Sequence, residues 1–289
     1  MTRPDREGLE ELARRARLLV LETVAASKAG HIGGPLSAMD LLVALYFSEL
    51  SVDQAAPGWE DRDRFILSKG HSAIGLYTVL ALRGFFPVEE LATFDRGDSR
   101  LQGHPDMLLT PGVDASTGSL GQGLSFGAGI AIGAKRRGKD FHTWVMLGDG
   151  ELEEGMPWEC ILSAPRFGLD NLTAIVDLNG LQQYGWPRGD GDRFDRSEPL
   201  GHIDLAAVFR GFGWDAVEID GHDYDAIFSA FDRVHAGHAA TGRPCVIIAR
   251  TVKGRGISFT EGTYAWHNGV ATPEQLALAR RELGAEVMA

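Results

Sequence analysis

The feature that most constrains the fold of this chain is a short apolar run that ends in a carboxylate between two glycines. The run Trp144–Leu147 leads into Gly-Asp-Gly, with Asp149 at its centre. A second apolar run begins at Leu172 and is followed by Asn179, 30 residues after Asp149. This spacing is typical of one strand–helix–strand unit, whose parallel strands end at the same edge of a sheet. We therefore expect Asp149 and Asn179 to lie close together at that edge.

Asp149 and Asn179 carry the oxygen atoms that a hard divalent cation prefers. Mg²⁺ takes carboxylate, amide and carbonyl oxygens in octahedral geometry and completes its shell with water or substrate phosphates. A simpler interpretation is that Asp149 caps the helix that follows it. The Gly-Asp-Gly motif alone favours the cap, but Asn179 at crossover distance favours a metal site.

Apolar runs of strand length alternate with amphipathic segments of helix length along the chain. Helices are predicted at 6–27, 38–50, 73–82, 123–137, from 223 onwards and at 273–283, and strands near 65–67, 144–147, 172–177, 214–219 and 244–249. This order predicts an α/β fold, a doubly wound, mainly parallel sheet with helices on both faces, in a single domain over residues 1–289. Ser37 is predicted to cap the second helix. Phe85–Gly118 is predicted to be irregular, and Gln182–Pro199 to be an exposed loop.

Composition excludes several classes of function. The net charge of −12 argues against nucleic acid as a partner, because binding a phosphate backbone requires dense Lys and Arg. No apolar run approaches the ~20 residues of a membrane span, and Met1–Glu11 lacks the apolar core of a signal peptide. Cys160 and Cys245 are too few for a disulfide framework, so we expect a cytoplasmic protein.

Four of the nine histidines lie in predicted loops, three of them next to glycine: His31, His71, His104 and His267. Glycine lets the backbone approach a ligand closely, and neutral imidazoles can bind hydroxyl groups or transfer protons near pH 7. No tight His/Cys spacing indicates zinc. The other five are interpreted as structural or surface residues: His142, His202, His222, His235 and His238.

The order of these motifs resembles transketolase from about residue 8 to about residue 285. The motifs are Gly30-His31 with Gly34-Pro35, Arg62–His71, Gly103-His104-Pro105, Thr117–Gly123, Gly148-Asp149-Gly150 with Glu154-Gly155, Asn179, and Trp266-His267. No single motif is decisive, but their shared order is specific. The resemblance implies the thiamin-diphosphate-binding fold of the diphosphate (PP) domain.

The resemblance also implies roles for individual residues. Asp149, Asn179 and the Leu181 carbonyl would hold Mg²⁺, or Ca²⁺ or Mn²⁺ in its place. The cofactor, thiamin diphosphate, would be contacted by His71, Gly118, Leu120, Gly150 and Asn179. The catalytic residues facing the sugar would be His31, His104 and His267, and His267 could also help move protons.

Transketolases carry two further domains, a pyrimidine-binding domain and a C-terminal domain, which the resemblance does not cover. The chain therefore looks like the N-terminal subunit of a split transketolase, active only with a separate C-terminal subunit. The implied assembly is a heterotetramer with two copies of each chain. Its reaction would transfer a two-carbon glycolaldehyde unit from a ketose phosphate to an aldose phosphate, in the pentose phosphate pathway or in a specialised route of carbohydrate catabolism.

Two local features refine this interpretation. Pro165 is expected to end or kink the helix after Gly-Asp-Gly near Ala164 and to leave the metal site intact. Glu151 and Glu153 are expected to form a solvated helix start that favours the helix dipole. Glu154 matches the carboxylate that this family places at its subunit interface.

Three alternatives remain open. A subunit of a 2-oxo acid dehydrogenase or a deoxyxylulose-phosphate synthase would share Gly-Asp-Gly and Asn179, although Gly103-His104-Pro105 and Thr117–Gly123 favour transketolase. A non-catalytic regulatory paralogue would be a duplicated domain without its cofactor. Nucleotide hydrolysis is disfavoured because the chain has no phosphate-binding Gly-x-x-x-x-Gly-Lys-Ser/Thr loop.

Overall fold

A five-stranded parallel sheet forms the centre of the protein, with the strand order β1-β2-β3-β7-β6. The computed structural model describes residues 5–183, 186–187, 194–195 and 203–284. In chain order the strands are β1 (Arg64–Leu67), β2 (Thr143–Gly148), β3 (Leu172–Leu178), β4 (Trp186–Pro187), β5 (Phe194–Asp195), β6 (Asp215–Asp220) and β7 (Cys245–Arg250). The two-residue strands β4 and β5 pair with each other in antiparallel orientation.

Within the described ranges, five helices lie between strands in sequence, as the alternating pattern predicts, while three precede β1 and one follows β7. The helices are α1 (Arg6–Ser27), α2 (Gly33–Ser37), α3 (Met39–Ala44), α4 (Ala73–Arg83), α5 (Gly123–Arg136), α6 (Gly155–Ser163), α7 (Leu205–Gly211), α8 (Tyr224–Thr241) and α9 (Pro273–Glu282). Within the described ranges, none of these helices is long and apolar enough to cross a membrane.

The sheet separates two hydrophobic cores because successive side chains of a strand point to opposite faces. In β2, Trp144 and Met146 pack into the core that includes α1, α3, α4 and α8. Val145 and Leu147 pack into the core that includes α5, α6 and α7. The predicted doubly wound parallel sheet with helices on both faces is confirmed.

The prediction of one helix over 38–50 is wrong in detail. This segment consists of α3 and a π-helical turn at Leu45–Glu49, and the short helix α2 precedes it. Ser37 lies inside α2 and does not cap a helix, because its hydroxyl donates to a carboxylate oxygen of Asp177 at 2.6 Å and also contacts the Gly34 carbonyl. A partner distant in sequence therefore replaces the local capping bond.

Phe85–Gly118 is ordered although it is mostly irregular. It contains a 3-10 helix at Val88–Thr93, and its apolar side chains Leu91, Phe94 and Leu101 are buried in the first core. Prolines prevent regular structure here, while burial of apolar side chains fixes the path of the chain. The predicted exposed loop Gln182–Pro199 lies largely outside the described residues.

Pro165 acts as predicted. Helix α6 ends at Ser163, and a 3-10 turn continues over Ala164–Phe167 with Pro165 in its first turn. Proline has no N–H to donate, so it fits the first turn of a new helix better than the interior of α6. Ala164 stays buried in the second core, so the chain changes helix type without leaving the sheet.

Candidate active site

The candidate site lies at the edge where β1, β2, β3 and β7 end. Ligands bind at this edge in open parallel sheets because the loops that follow the strands converge there. These loops surround a cavity of about 370 Å³. Its lining includes every residue that the sequence assigned to metal or cofactor, namely His71, Gly118, Leu120, Asp149, Gly150, Asn179 and Leu181.

Three of the four loop histidines, His31, His71 and His267, line this cavity, and His104 lies next to them. The ring centroid of His31 lies 5.1 Å from that of His71, 5.1 Å from that of His267 and 6.4 Å from that of His104. His71 and His267 are also 5.1 Å apart. Residues from four separate segments of the chain thus form one imidazole cluster, as their shared loop setting suggested.

The other histidines that can be placed lie elsewhere. His142 is buried beside Trp144 and bonds Thr173. His222 joins Asp40 to the backbone N–H of Val252, and exposed His235 contacts Glu49. Their structural or surface interpretation is confirmed, whereas His202 and the side chain of His238 lie outside the described residues.

Three residues bring oxygen groups to the cavity from the loops after β2 and β3: the carboxylate of Asp149, the side-chain amide of Asn179 and the backbone carbonyl of Leu181. The carboxylate of Asp149 accepts the N–H of Gly150 at 2.8 Å and that of Gly180 at 2.6 Å. The amide oxygen of Asn179 accepts the N–H of Leu181 at 3.2 Å. Each acceptor has a further lone pair, so these bonds orient the oxygens without using up their capacity. The donor set suits Mg²⁺ or a similar hard cation.

Among these candidate ligands, the carboxylate of Asp149 is the one charged group. Among the described residues, no cluster of three His, Cys, Asp or Glu side chains is suited to a metal ion. A cation at Asp149 would therefore rely on amide and carbonyl oxygens and on oxygens from a ligand. The carbonyl of Leu181 already accepts a bond of 2.7 Å from the ammonium group of Lys253, which leaves its second lone pair for a metal.

A buried ion pair that sequence reasoning missed lies beneath these groups. The ammonium of Lys69 bonds the carboxylate of Asp177, and both side chains are almost completely buried. Asp177 also accepts bonds from Ser37, Thr251 and the amide of Asn179, the last at 3.2 Å. The pair therefore orients Asn179. The sequence did contain a signal for this pair, because Asp177 places a charged residue directly after the apolar run 172–176.

The surroundings keep three of the imidazoles neutral. Burial and the cation of Lys69 lower the pKa of His71 to about 2. Burial and the cation of Lys253 lower the pKa of His267 to about 3, and burial is the main cause that lowers the pKa of His31. A neutral imidazole presents one donor and one acceptor, so these three side chains can bind sugar hydroxyls at neutral pH.

Two lysines, Lys69 and Lys253, line the cavity together with the carboxylates of Asp149, Glu151 and Glu153. Burial lowers the pKa of Lys253 to about 8, and this ammonium lies 3.0 Å from Nδ1 of His267. Burial, with the nearby carboxylate of Asp177, raises the pKa of Asp149 to about 6. Lys253 and Lys69 both line the cavity, so an anionic ligand such as a diphosphate is attracted there.

Glycines allow backbone segments to meet at the cavity. Gly118 has φ +157, and a Cβ there would lie 2.9 Å from Cδ2 of His104. A Cβ on Gly70 would lie 2.6 Å from the carbonyl carbon of Thr117. Both positions exclude larger residues, so the loop before α5 and His104 can pack directly against the end of β1.

The expectation that Glu151 forms part of a solvated helix start is wrong. Its side chain is buried and accepts hydrogen bonds from Ser68, from the N–H of Gly121 at 2.8 Å and from that of Gly148 at 3.2 Å. Glu153 is exposed, as the solvated helix start predicted, and Glu154 is exposed as well. The sequence-local argument failed because the partners of Glu151 come from other loops.

Comparison with known proteins identifies the family. The profile of the family described as transketolase, thiamine diphosphate binding domain, matches residues 9–289. The chain belongs to this transketolase family. It is 40% identical over 278 residues to the 6-deoxy-6-sulfo-D-fructose transketolase subunit SqwG of Clostridium sp. (strain MSTE9), covering 96% of this chain and 97% of that one.

Other similar proteins support the same family assignment. An apulose-4-phosphate transketolase subunit of Phocaeicola vulgatus is 37% identical over 281 residues, covering 97% of this chain and 95% of that one. The crystal structure of transketolase from Campylobacter jejuni is 30% identical, with a TM-score of 0.85 over 97% of this chain and 43% of that one. This transketolase-type chain thus matches subunit-length relatives along their whole length and less than half of that solved transketolase.

Proposed function

We propose that the protein is the N-terminal subunit of a thiamin-diphosphate-dependent transketolase, with residues 1–289 as a single PP-type domain. It would transfer a two-carbon glycolaldehyde unit from a ketose phosphate to an aldose phosphate. The convergence of Asp149, Asn179, two lysines and the imidazole cluster at one cavity carries this proposal. The relatives named above are subunits of transketolases that act on different sugars, so the sugar itself is left open.

In this proposal the oxygens of Asp149, Asn179 and Leu181 hold Mg²⁺, and the metal holds the diphosphate. Lys69 and Lys253 add positive charge where the diphosphate would lie. His71 and the backbone of Gly150 contact the phosphate oxygens. Thiamin diphosphate, when bound, supplies the carbon nucleophile and electron sink that allow a carbon–carbon bond beside a carbonyl group to break and re-form.

The remaining groups orient the cofactor and the sugar. Gly118 and Leu120 line the ring region of the cofactor. His31, His104 and His267 face the sugar hydroxyls, to which a neutral imidazole can both donate and accept hydrogen bonds. The part of His267 in moving protons would use its Nε2–H as donor, because its Nδ1 accepts from the ammonium of Lys253. The bond between its Nδ1 and Lys253 leaves Nε2 as the ring nitrogen that can face the sugar.

A partner subunit completes the site in this proposal. Large apolar side chains remain exposed on and beside α5 and α6, including Phe126, Met156 and Leu162. Leu120 is also exposed and lines the cavity, so this apolar surface continues into the site. Exposed apolar patches beside a ligand site are typical of protein interfaces. The proposed occupant is a C-terminal subunit with the pyrimidine-binding domain, in a cytoplasmic heterotetramer in which Glu154 lies at the interface.

The test is calorimetric titration of thiamin diphosphate with Mg²⁺ into the chain alone and into the chain mixed with a C-terminal transketolase subunit. Tight binding is expected only in the mixture. Asp149→Ala should weaken it by more than about tenfold, because a charged ligand of the metal is lost. Asp98→Ala, which removes an exposed carboxylate in a loop, is the control and should change nothing.

Turnover then separates the candidate reactions. The mixture should transfer a two-carbon unit from a ketose phosphate to an aldose phosphate. Turnover of pyruvate with reduction of a lipoyl group would instead identify a 2-oxo acid dehydrogenase subunit. Absence of cofactor binding in both titrations would contradict the proposal and favour a regulatory paralogue.

A further inference from the structure

The loop 118–121, which brings Gly118 and Leu120 to the cavity, is held by very few bonds. Within the described residues, the N–H of Gly121 is the one backbone N–H of this loop that donates a hydrogen bond. Its acceptor is the carboxylate of Glu151, at 2.8 Å. The preceding residue, Thr117, is anchored by its hydroxyl to the Leu67 carbonyl at 2.6 Å and by its N–H to the Pro105 carbonyl at 3.4 Å. Beyond these anchors of Thr117, the hydrogen bond of loop 118–121 itself comes from Glu151.

The same carboxylate reaches two further segments. One oxygen of Glu151 accepts the hydroxyl of Ser68, directly after β1, in addition to the N–H of Gly121. The other oxygen accepts the N–H of Gly148 at the end of β2, at 3.2 Å. Each segment adjoins a residue that lines the cavity: Lys69, Leu120 and Asp149.

We propose that Glu151 is a positioning residue that holds loop 118–121 against the ends of β1 and β2 in the cofactor-receiving arrangement before the cofactor binds. Glu151 itself lines the cavity, and the role proposed for it is to hold the loops that it joins. The inference deepens the proposed function and rests on it for the identity of the ligand. The geometry of the loop can be tested without any ligand.

A carboxylate is the group that this position requires. Three donors converge on it, and an ionised carboxyl group accepts at both oxygens without donating. In Glu151→Gln, the side-chain NH₂ must face at least one backbone N–H, so one of the bonds is lost although the shape is kept. In Glu151→Ala, three donors lose their acceptor in a buried place, which is the more costly change.

The first measurement is amide hydrogen exchange of the chain alone, without cofactor. In Glu151→Ala the N–H of Gly121 loses its acceptor and should exchange at least about tenfold faster. In Glu151→Gln the same increase should appear at Gly121 or at Gly148, whichever N–H faces the new NH₂ group. Amides in the interior of β3, which Glu151 does not contact, should be unchanged. Glu89→Ala, at an exposed glutamate in the 3-10 helix after α4, is the matched control and should leave Gly121 protected. Unchanged exchange at Gly121 in Glu151→Ala, or at both N–H groups in Glu151→Gln, would overturn the inference.

The second measurement separates positioning from general stability. The Kd of thiamin diphosphate with Mg²⁺, in the presence of the C-terminal subunit, should rise about tenfold or more in Glu151→Ala, well below the unfolding temperature. Val234→Ala removes buried methyl groups from α8, away from the cavity, and provides a variant of lowered stability. It should keep the wild-type Kd. An equal loss of affinity in both variants would overturn the inference, because Glu151 would then act only through stability.

The two proposals fail in different ways. If the wild-type assembly binds no cofactor, the proposed function fails, while hydrogen exchange still decides whether Glu151 holds the loop. If the wild type binds cofactor and Glu151→Ala binds it equally well with Gly121 still protected, the function stands and the role of Glu151 is refuted.

Discussion

Replacing Lys69 by methionine should destabilise the protein strongly, although Lys69 lies beside the proposed ligand site and not in the middle of a core. Methionine has a similar length and can fill the space without a charge. Lys69 and Asp177 have side chains that are 2% and 0% exposed. Removing one member of such a buried pair leaves the other charge without compensation, which typically costs about 3–5 kcal/mol.

The contacts around Asp177 place the expected loss at the lower end of that range. Asp177 keeps hydrogen bonds from Ser37, Thr251 and Asn179 after the substitution. The Gly34 carbonyl, which accepts from Lys69, also accepts from Ser37 and is not left unpaired. We therefore expect the free energy of unfolding to fall by about 3 kcal/mol. For a chain of this size, that corresponds to a fall in Tm of about 6–12 °C.

Urea unfolding at pH 7 without cofactor measures this loss directly. Asp177→Asn should be similarly destabilised, and the double variant should show a coupling energy of about 2 kcal/mol between the two positions. Arg137→Met is the control, because Arg137 forms an exposed ion pair with Glu60 and should cost less than about 1 kcal/mol. A loss below about 1 kcal/mol in Lys69→Met, or additive effects in the double variant, would refute this account of the pair.

Three further predictions concern backbone packing at Gly70, the pH dependence of stability at Asp40 and stabilisation by the bound cofactor. Gly70→Ala should weaken cofactor binding, measured by calorimetry, while the chain still folds, because the added Cβ would lie 2.6 Å from the backbone of Thr117. Gly211→Ala is the control, because a Cβ there would have nothing within 4 Å. Burial raises the pKa of Asp40, but the Arg17 guanidinium outweighs it and holds that pKa at about 2, below the usual 3.8. Asp40→Asn should therefore cost at least about 2 kcal/mol in urea unfolding at pH 7, and the difference should shrink as pH falls from about 4 towards 2. With Mg²⁺ and cofactor at 100 times Kd, a chelator should remove about 2.7 kcal/mol of stabilisation, seen as a lower Tm.

Much of the fold follows from local pattern. Alternating apolar runs and amphipathic segments predicted the parallel sheet, and the spacing of Asp149 and Asn179 brought both to one edge of it. The four loop histidines were grouped by their shared setting, and the structure brings them together. These predictions succeed because period, length and order are properties of neighbouring residues.

The errors have one physical origin. Ser37 was assigned to a cap and Glu151 to a solvated helix start, and both instead bond partners far away in sequence. Ser37 and Asp177 are 140 residues apart, and Ser68 and Glu151 are 83 residues apart. Local propensities describe polar side chains as capping or solvated groups, and tertiary contacts override them when a buried partner is available. The pair of Lys69 and Asp177 was missed for the same reason.

The backbone contact between the two ends of the described chain determines when a newly synthesised protein can acquire its site. His31 forms a β-bridge with Asn268, and the N–H of Ile32 donates to the carbonyl of His267 at 3.2 Å. During synthesis β7 ends at Arg250 and can pair before His267 leaves the ribosome, so the sheet can form first and the imidazole cluster last. A chain interrupted between Arg250 and His267 could therefore retain all its paired strands and still lack the site.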